Sequence, residues 1–355
     1  MKPVLWLEEM HPEDATALGG AKIGRLVEIM AAGIRVPRGF VVTVDAYRAH
    51  CAESGLDALI AGVLQALPGA ASDDELRAAS ARIRTAFRQT RMTGALARQI
   101  ADAYEELSAR SLDINAPVAV RSSATGEDGS TASFAGIFDT YLGISGPDRV
   151  LDAIGDCWGS LFTHRALAYR HERGISHHRM PIAVGVMELV HARAAGVAFS
   201  AHPVTGKTDR IVIEASWGWG EAVVQGLVTP DHAEIGKTDS RLLRYDVGRK
   251  DVASAFDFAE GRVTEVPMPA RLRDRRVLDD GQIRAVCDAV RAIERHYGYP
   301  VDVEWVLGRH RAPGDPVDIV QTRPVTVSAP ARAPSLAGGW DPAAFATRYA
   351  FQGSQ

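Results

Sequence analysis

The chain has 355 residues, 46% of them hydrophobic and 24% charged, with a formal net charge of −4. That length supports a large core and two or three lobes, and the mild negative charge supplies no basic field for a nucleic acid. No apolar run reaches the length of a membrane span, the first residues carry no apolar secretory segment, and Cys51, Cys157 and Cys287 are too scattered for a disulfide frame or a zinc site, which points to a reducing, cytoplasmic setting.

In chain order, the first third reads as mostly helical. "GAKIGRLVEIMAAGI" predicts a helix entered through glycines and ended at Gly33, followed by a turn and a short strand in "RVPRGFVVT". Ser72, with Glu75 three residues later, is a capping-box pattern. It opens a helix with Leu76, Ala79, Ile83 and Phe87 on one face. A second helix carries Leu96, Ile100, Tyr104 and Leu107 at helical spacing, and both stripes read as core. From Pro117 the texture changes. "PVAVRSSA", "IAVGVMELV", "GVAFSA", "RIVIEAS", "VDVEWVLG" and "VDIVQTRPV" predict strands, with helices at about 149–173 and 281–297. The class is therefore α+β. A Pro/Ala/Gly/Ser linker follows Val327, and residues 340–351 predict one short amphipathic helix, with Trp340, Phe345, Tyr349 and Phe351 as a weak docking stripe. The eleven histidines form no H-E-x-x-H pattern, and His177-His178 falls in a predicted loop.

Four stretches bear on chemistry. "AHPVTGKT" (201–208) fits a relaxed phosphate-binding loop, but such a loop needs a following helix, and "DRIVIEASWG" alternates like a strand. A hairpin-like connection is the better reading. "RSSATGEDGSTASFAGIFDTYLG" (121–143) places Arg121 directly after an apolar strand and continues into Ser, Thr and Gly, whose N–H groups and hydroxyls suit an anion. "SWGWGEAVVQGLVTPD" (216–231) is a glycine-rich strand-to-helix turn with Glu221. The strands around 301–308 and 317–325 flank a turn-rich loop and read as a hairpin. A symmetric loop puts Glu304 opposite Gln321 and Asp302 opposite Arg323, all four on one face, with Val301, Val303 and Trp305 on the other. A carboxylate, an amide oxygen and a guanidinium on one face suit Mg²⁺ with a polyphosphate, and equally suit a solvated strand face with cross-strand pairs. Lys22, behind Gly19 and Gly20 at a predicted helix start, is a point charge for phosphate.

Taken in order, "GGAKIGRL", "AGIRVPRGFVVT", "VAVRSSATGED", "SFAGIFDTYL", "CWGSLFTHRALAYR", "GVAFSAHPVTG", "WGWGEAVVQGLVTPD", "VEWVL" and "IVQTRPVT" resemble the N-terminal ATP-binding domain of the phosphoenolpyruvate synthase / pyruvate phosphate dikinase group, which includes rifampin phosphotransferase and the ATP-binding subunit of phenylphosphate synthase. These stretches span about residues 15–327. The resemblance implies an ATP-grasp-like α+β fold, two lobes with mixed β-sheets enclosing an ATP cleft. It divides the chain into an N-terminal lobe (1–186) with a phosphate-covering loop, a C-terminal lobe (187–327) with the metal site, and a linker with a short helix (328–355). It implies that Lys22 and Arg121 contact phosphates and that Gly136 and Thr140 lie in the covering loop. Glu304 and Gln321 would hold Mg²⁺ and phosphate, and Arg323 would stabilise the transferring group. The hairpin reading reaches the last three independently.

There are departures. Met187 stands where relatives often place a Gln near the adenine, which shifts base recognition to backbone groups of Glu188 and Leu189. Ala21 replaces a glycine, and His202 stands where the family loop usually has Asp or Asn. The swivelling domain with a phosphorylatable His in a Gly-Gly-x-Thr-x-His setting, and the substrate domain, have no counterpart in this sequence. The resemblance therefore implies an Mg-ATP-binding enzyme subunit that releases AMP and Pi and passes phosphate through a phospho-His on a separate chain. The acceptor is a small molecule, with a phenol, pyruvate and an antibiotic hydroxyl all open, and neither a nucleic acid nor a membrane is a partner. His202 is the best internal candidate for a phosphate-accepting His, but it stands at a loop position. A stand-alone ATP-grasp kinase or ligase, and a catalytically silent nucleotide-binding regulator, are the rival readings.

Overall fold

A computed structural model describes residues 2–125, 128–129, 132–133, 139–173, 175, 180–220, 223, 226, 228–257, 262–312 and 314–325. Gly136, His177, His178, Glu221 and the expected helix at 340–351 lie outside these residues. The chain divides into two units, one formed within Met1–Val27, Arg38–Leu189 and Glu260–Arg262, the other within Glu28–Pro37, Val190–Ala259 and Val263–Gln355. They are described separately.

Unit 1 is built from β1 (Val4–Trp6), α1 (Pro12–Ala31, in this unit through Val27), β2 (Gly39–Val42), α2 (Val44–Ser54), α3 (Leu56–Gln65), α4 (Asp73–Gln89), α5 (Gly94–Arg110), β3 (Val118–Ala124), the two-residue strands β4 (Asp128–Gly129) and β5 (Ala132–Ser133), β6 (Thr140–Ile144), α6 (Pro147–Gly159), α7 (His164–Glu172) and β7 (Ile182–Glu188). Its main sheet runs β1-β2-β7-β3-β6, every neighbour antiparallel. Period-2 alternation divides β3 and β7 between two faces. Val118, Val120, Ala124, Ile182, Val184 and Val186 join Phe40, Val42, Ile154 and Trp158 in one buried core with the helices. Each Val, Ile or Phe side chain among these contributes roughly 1.5–3 kcal/mol on burial. Ala119, Arg121, Ser123, Ala183, Gly185 and Met187 take the other face. The capping box is present: Ser72 Oγ accepts the Glu75 N–H and Glu75 Oε2 accepts the Ser72 N–H. The predicted helix at 149–173 is two helices, α6 and α7, joined by a 3₁₀ turn at Ser160–Phe162, where Thr163 caps the second.

Unit 2 contains β8 (Ala192–Phe199), β9 (Arg210–Trp217), β10 (Asp231–Gly236), β11 (Leu242–Asp246), β12 (Val252–Asp257), β13 (Arg262–Pro267, in this unit from Val263), a single helical turn at Ala270–Arg273, α8 (Asp280–Tyr297), β14 (Val301–Gly308) and β15 (Asp318–Pro324). Its six-stranded sheet runs β11-β10-β9-β8-β14-β15, again antiparallel throughout. The α+β, two-unit, ATP-grasp-like architecture is thus present. Its main sheets are antiparallel where mixed sheets were expected, and the parallel contact among the described residues is an isolated bridge between Gly218 and Ser254. The stretch "AHPVTGKT" joins β8 to β9, which are paired neighbours, so no helix follows it and the phosphate-loop reading is excluded. Asp279 and Gln282 form a capping box at the start of α8, and Gly298 (φ 74°) ends it. Ile283, Val286, Cys287, Val290 and Ile293 make its buried stripe. The segment Glu28–Pro37 is tied to β15: Asp318, 2% exposed, receives Arg35 Nε at 2.5 Å and Arg311 Nη2 at 3.1 Å.

No helix among the described residues is long and apolar enough to cross a membrane. All three cysteines are buried and unbridged, and burial pushes the Cys51 and Cys287 thiols up to about 12, too high for nucleophilic use.

Candidate functional site

In unit 1 the sheet face that carries Arg121 is also the face on which α1 lies. The helix breaks at Gly20 (φ 75°, ψ 173°), a backbone region that side chains rarely adopt. The predicted helix start at the glycines is therefore a restart, preceded by a helical segment that the sequence reading missed. Ile23 packs onto Gly185 of β7, where a Cβ would stand 2.4 Å from Ile23 Cδ1. Gly24 packs onto Thr16 in the same way, folding the two halves of α1 together. Lys22 thus sits in the first turn after the break, half-buried, with a helix N-terminus beside it. On β3, Arg121 is half-buried and is the register partner of Thr140 on β6 and of Gly185 on β7. Three of the residues expected to contact phosphate, Lys22, Arg121 and Thr140, therefore belong to one face of one sheet or to the helix that covers it. Gly136 lies outside the described residues.

Met187, Glu188 and Leu189 stand at the end of β7. Met187 is 2% exposed and lies between Gly39 and Ala119 of the neighbouring strands. The Glu188 N–H donates to Arg38 O at 2.8 Å and the Leu189 N–H to Pro117 O at 3.0 Å. Recognition of a base by these same N–H groups would require opening the end of β7.

In unit 2 the hairpin has the expected register: Asp302 pairs with Arg323 and Glu304 with Gln321. Val301, Val303 and Trp305 are at most 1% exposed, while Glu304, Gln321 and Arg323 are half-buried. A bulge at Val320, where Trp305 pairs with Ile319, is the feature that alternation did not predict. Arg323 Nε donates to Asp302 Oδ2 at 2.7 Å. Burial raises the Asp302 carboxyl, the Arg323 guanidinium opposes that, and Glu304 adds to it. The pair therefore fixes Arg323 beside the Glu304–Gln321 step.

The same cross-strand row continues Gln321, Glu304, Val197, Glu214, His232, Asp246 through all six strands. Glu214 and His232 were not anticipated from sequence. His232 Nδ1 lies 2.6 Å from Glu214 Oε1, both residues at most 2% exposed. Burial works against a charged imidazole, but the Glu214 and Glu234 carboxylates outweigh it and raise the His232 pKa. Unit 2 also has an open cavity of about 610 Å³ lined in part by Arg193, Trp217, Arg275 and Arg276, and none of the predicted site residues reaches it.

His202 has a definite local role. Its Nδ1 accepts the N–H groups of Val204 at 3.2 Å and Thr205 at 3.3 Å, while its own carbonyl accepts the Gly206 N–H at 2.8 Å. A carboxylate or amide oxygen at this position makes the same turn, which accounts for histidine in place of Asp or Asn. The role requires an unprotonated Nδ1. Burial lowers the His202 pKa, Glu234 opposes, and His232 and Arg210 lower it further. A depressed folded pKa means stability present above the unfolded value of about 6.5 and lost as pH falls below it. His202→Asn should keep the turn, and His202→Ala should cost about 1 kcal/mol, as for a lost cap. Amide exchange at Val204 and Thr205, corrected for intrinsic rate, should lose protection from pH 7 toward 5 in the wild type but not in His202→Asn. Equal pH dependence in both would remove the turn assignment.

Residues 16–337 match the family model described as pyruvate phosphate dikinase, AMP/ATP-binding domain. The chain belongs to this family. It is 42% identical over 326 residues to the probable phosphoenolpyruvate synthase of Methanothermobacter thermautotrophicus, an alignment covering 92% of this chain and 46% of that protein. It is 37% identical over 348 residues to the phosphoenolpyruvate synthase of Aeropyrum pernix (91% and 42%) and 35% identical over 359 residues to that of Pyrococcus furiosus (91% and 44%). The chain spans less than half the length of these relatives. Taken each by itself, unit 1 offers cations and a helix start, which suit phosphate charge, and unit 2 offers oxygen donors with a fixed guanidinium, which suit a metal-bound phosphate. Among the described residues no group of three or more His, Cys, Asp or Glu forms a metal site by itself. Glu304 and Gln321 would hold Mg²⁺ only as part of a shell completed by phosphates and water.

Proposed function

We propose that this domain binds Mg-ATP and drives dikinase-type phosphoryl transfer. With uptake of one water, two phosphoanhydride bonds break, AMP and Pi leave, and the remaining phosphoryl group passes through a phospho-His carried outside residues 1–355 to a small organic acceptor. The observation that carries the reading is the hairpin face of unit 2, where Glu304 and Gln321 are paired across two strands and Asp302 fixes Arg323 beside them. Lys22 and Arg121 would bind phosphate charge, with Thr140 alongside Arg121. Glu304 and Gln321 would hold Mg²⁺, which neutralises charge on the phosphates when bound. Arg323 would stabilise the charge that develops on the transferring group, and Asp302 orients it for that task. The relatives' names support phosphoenolpyruvate formation as the wider setting, and their additional length is in keeping with further domains for the carrier His and the acceptor. The three buried thiols support a cytoplasmic setting.

Calorimetry on the purified chain should show ATP binding that strengthens with Mg²⁺. Absence of heat at millimolar Mg-ATP would sink the reading.

A further inference from the structure

A helix leaves its first N–H groups without partners, and the residue before its first turn normally supplies a side-chain oxygen to one of them. At the restart of α1 that residue is Gly20, which has no side chain. Ser123 of β3, 100 residues beyond Ile23, takes its place: the Ile23 N–H donates to Ser123 Oγ at 3.2 Å in a buried contact. The approach is close on the backbone side as well. A Cβ at Gly20 would lie 2.0 Å from Ser123 O and 2.5 Å from Ser123 Oγ. Ser123 is fully buried. On its own strand it is two residues from Arg121 and shares its face. Next to it, Ser122 Oγ donates to Asp139 O at 2.8 Å, at the start of the strand that carries Thr140.

We propose that Ser123 is a positioning residue for phosphate binding: by capping the restarted helix from the sheet, it holds Lys22 in fixed register with Arg121. This rests on the Mg-ATP reading above and adds to it the means by which two cations on separate elements are aligned. The physical requirement is that both charges meet one polyphosphate without reorganising when it binds. A single hydrogen bond and a glycine contact meet it, because Ile23 against Gly185 already sets the height of the helix above the sheet.

The test compares ATP with adenosine, which lacks the phosphates. Calorimetry gives the ratio of the two affinities for the wild type, for Ser123→Ala and for Thr43→Ala. Thr43 is an equally buried hydroxyl in unit 1 whose Oγ1 accepts the Ala46 N–H at 3.4 Å and donates to Lys2 O at 3.4 Å, so its loss reports the removal of a buried capping hydroxyl together with one bond to the N-terminal segment. Ser123→Ala should lower the ATP:adenosine ratio roughly tenfold, about the effect of weakening one charge-assisted bond, and Thr43→Ala should leave it unchanged. An unchanged ratio in Ser123→Ala overturns the assignment. Equal, weak binding of ATP and adenosine by the wild type removes the Mg-ATP reading itself and is distinguishable from that result. Amide exchange on the wild-type chain keeps the test open if Ser123→Ala does not fold. Ile23 should be protected without nucleotide, and further protected by ATP but not by adenosine. Exchange at Ile23 at its unprotected intrinsic rate overturns the proposal.

Discussion

Asp231→Ala should destabilise unit 2 by about 3–5 kcal/mol, the range for stranding one partner of a buried ion pair. Asp231 is 1% exposed and Lys250 is fully buried. One carboxylate oxygen of Asp231 accepts from Lys250 Nζ and from the Gly248 N–H at 3.0 Å. The other accepts from the Tyr245 hydroxyl at 2.6 Å and the Val277 N–H at 2.7 Å. Burial and Asp231 both raise the Tyr245 pKa, so its hydroxyl remains a donor. One side chain therefore joins β10, β11, the segment around Gly248 and the approach to α8. Removing it leaves an ammonium, a hydroxyl and two N–H groups without that acceptor. Removing the ammonium as well should recover much of the loss, because no charge is then stranded. Denaturant unfolding of Asp231→Ala, Lys250→Met and the double variant checks this. Additive single losses, or a loss under about 1 kcal/mol for Asp231→Ala, would show that the four contacts do not act together.

What the sequence disclosed follows from what is local. The Glu304–Gln321 and Asp302–Arg323 pairs were readable because a hairpin converts spacing into register and alternation assigns faces. The bulge at Val320 was not, since an extra residue leaves no mark on composition. The capping box at Ser72 was readable, being four residues long. By contrast α2 buries Val44, Ala46, His50 and Cys51, small or polar residues that give a faint stripe, and it went unpredicted. Its neighbour α3 went unpredicted too, although Leu56, Ile60, Val63 and Leu64 give it an ordinary apolar face. The Glu214–His232 pair was illegible for another reason. Each residue reads as an isolated polar position in a buried strand, and only pairing of β9 with β10 brings them to 2.6 Å. Ser123 had the same difficulty: at the end of the predicted strand "PVAVRSSA" it reads as one of several neighbouring hydroxyls, and its partner lies 100 residues away. Antiparallel sheets, fixed by contacts between distant strands, were likewise beyond a reading by periodicity. The family resemblance assigns roles to residues such as Lys22 and Arg121 that spacing alone leaves open, because it compares their context rather than their geometry.

Arg323→Ala and Glu304→Ala should differ in kind. Arg323→Ala should slow AMP formation in the complete phosphotransfer system by roughly 10²–10³-fold, the usual loss for one preorganised donor to transition-state charge. Its effect on Mg-ATP affinity should be much smaller, because the guanidinium is needed most when charge moves onto the transferring group. Glu304→Ala should instead abolish the part of ATP affinity that depends on Mg²⁺, leaving the metal-free affinity in place. The structure adds a control. Arg323→Ala deprives Asp302, whose side chain is 9% exposed, of its ion-pair partner, and burial already disfavours its charged form. The single variant therefore combines a lost donor with a disturbed acid. Arg323→Ala with Asp302→Asn removes the disturbed acid, so a turnover defect that persists in the double variant belongs to the guanidinium. Asp302→Asn alone keeps the guanidinium but weakens its anchor, and should give a smaller turnover loss with Mg-ATP affinity nearly intact. Arg323→Lys should rescue only in part, since a point charge lacks the planar fork that Asp302 orients. Single-turnover AMP formation, set beside calorimetry with and without Mg²⁺, separates the effects. If Arg323→Ala and Glu304→Ala weaken Mg-ATP binding alike and leave the rate at saturation untouched, the hairpin face binds nucleotide but does not act on the transferring group.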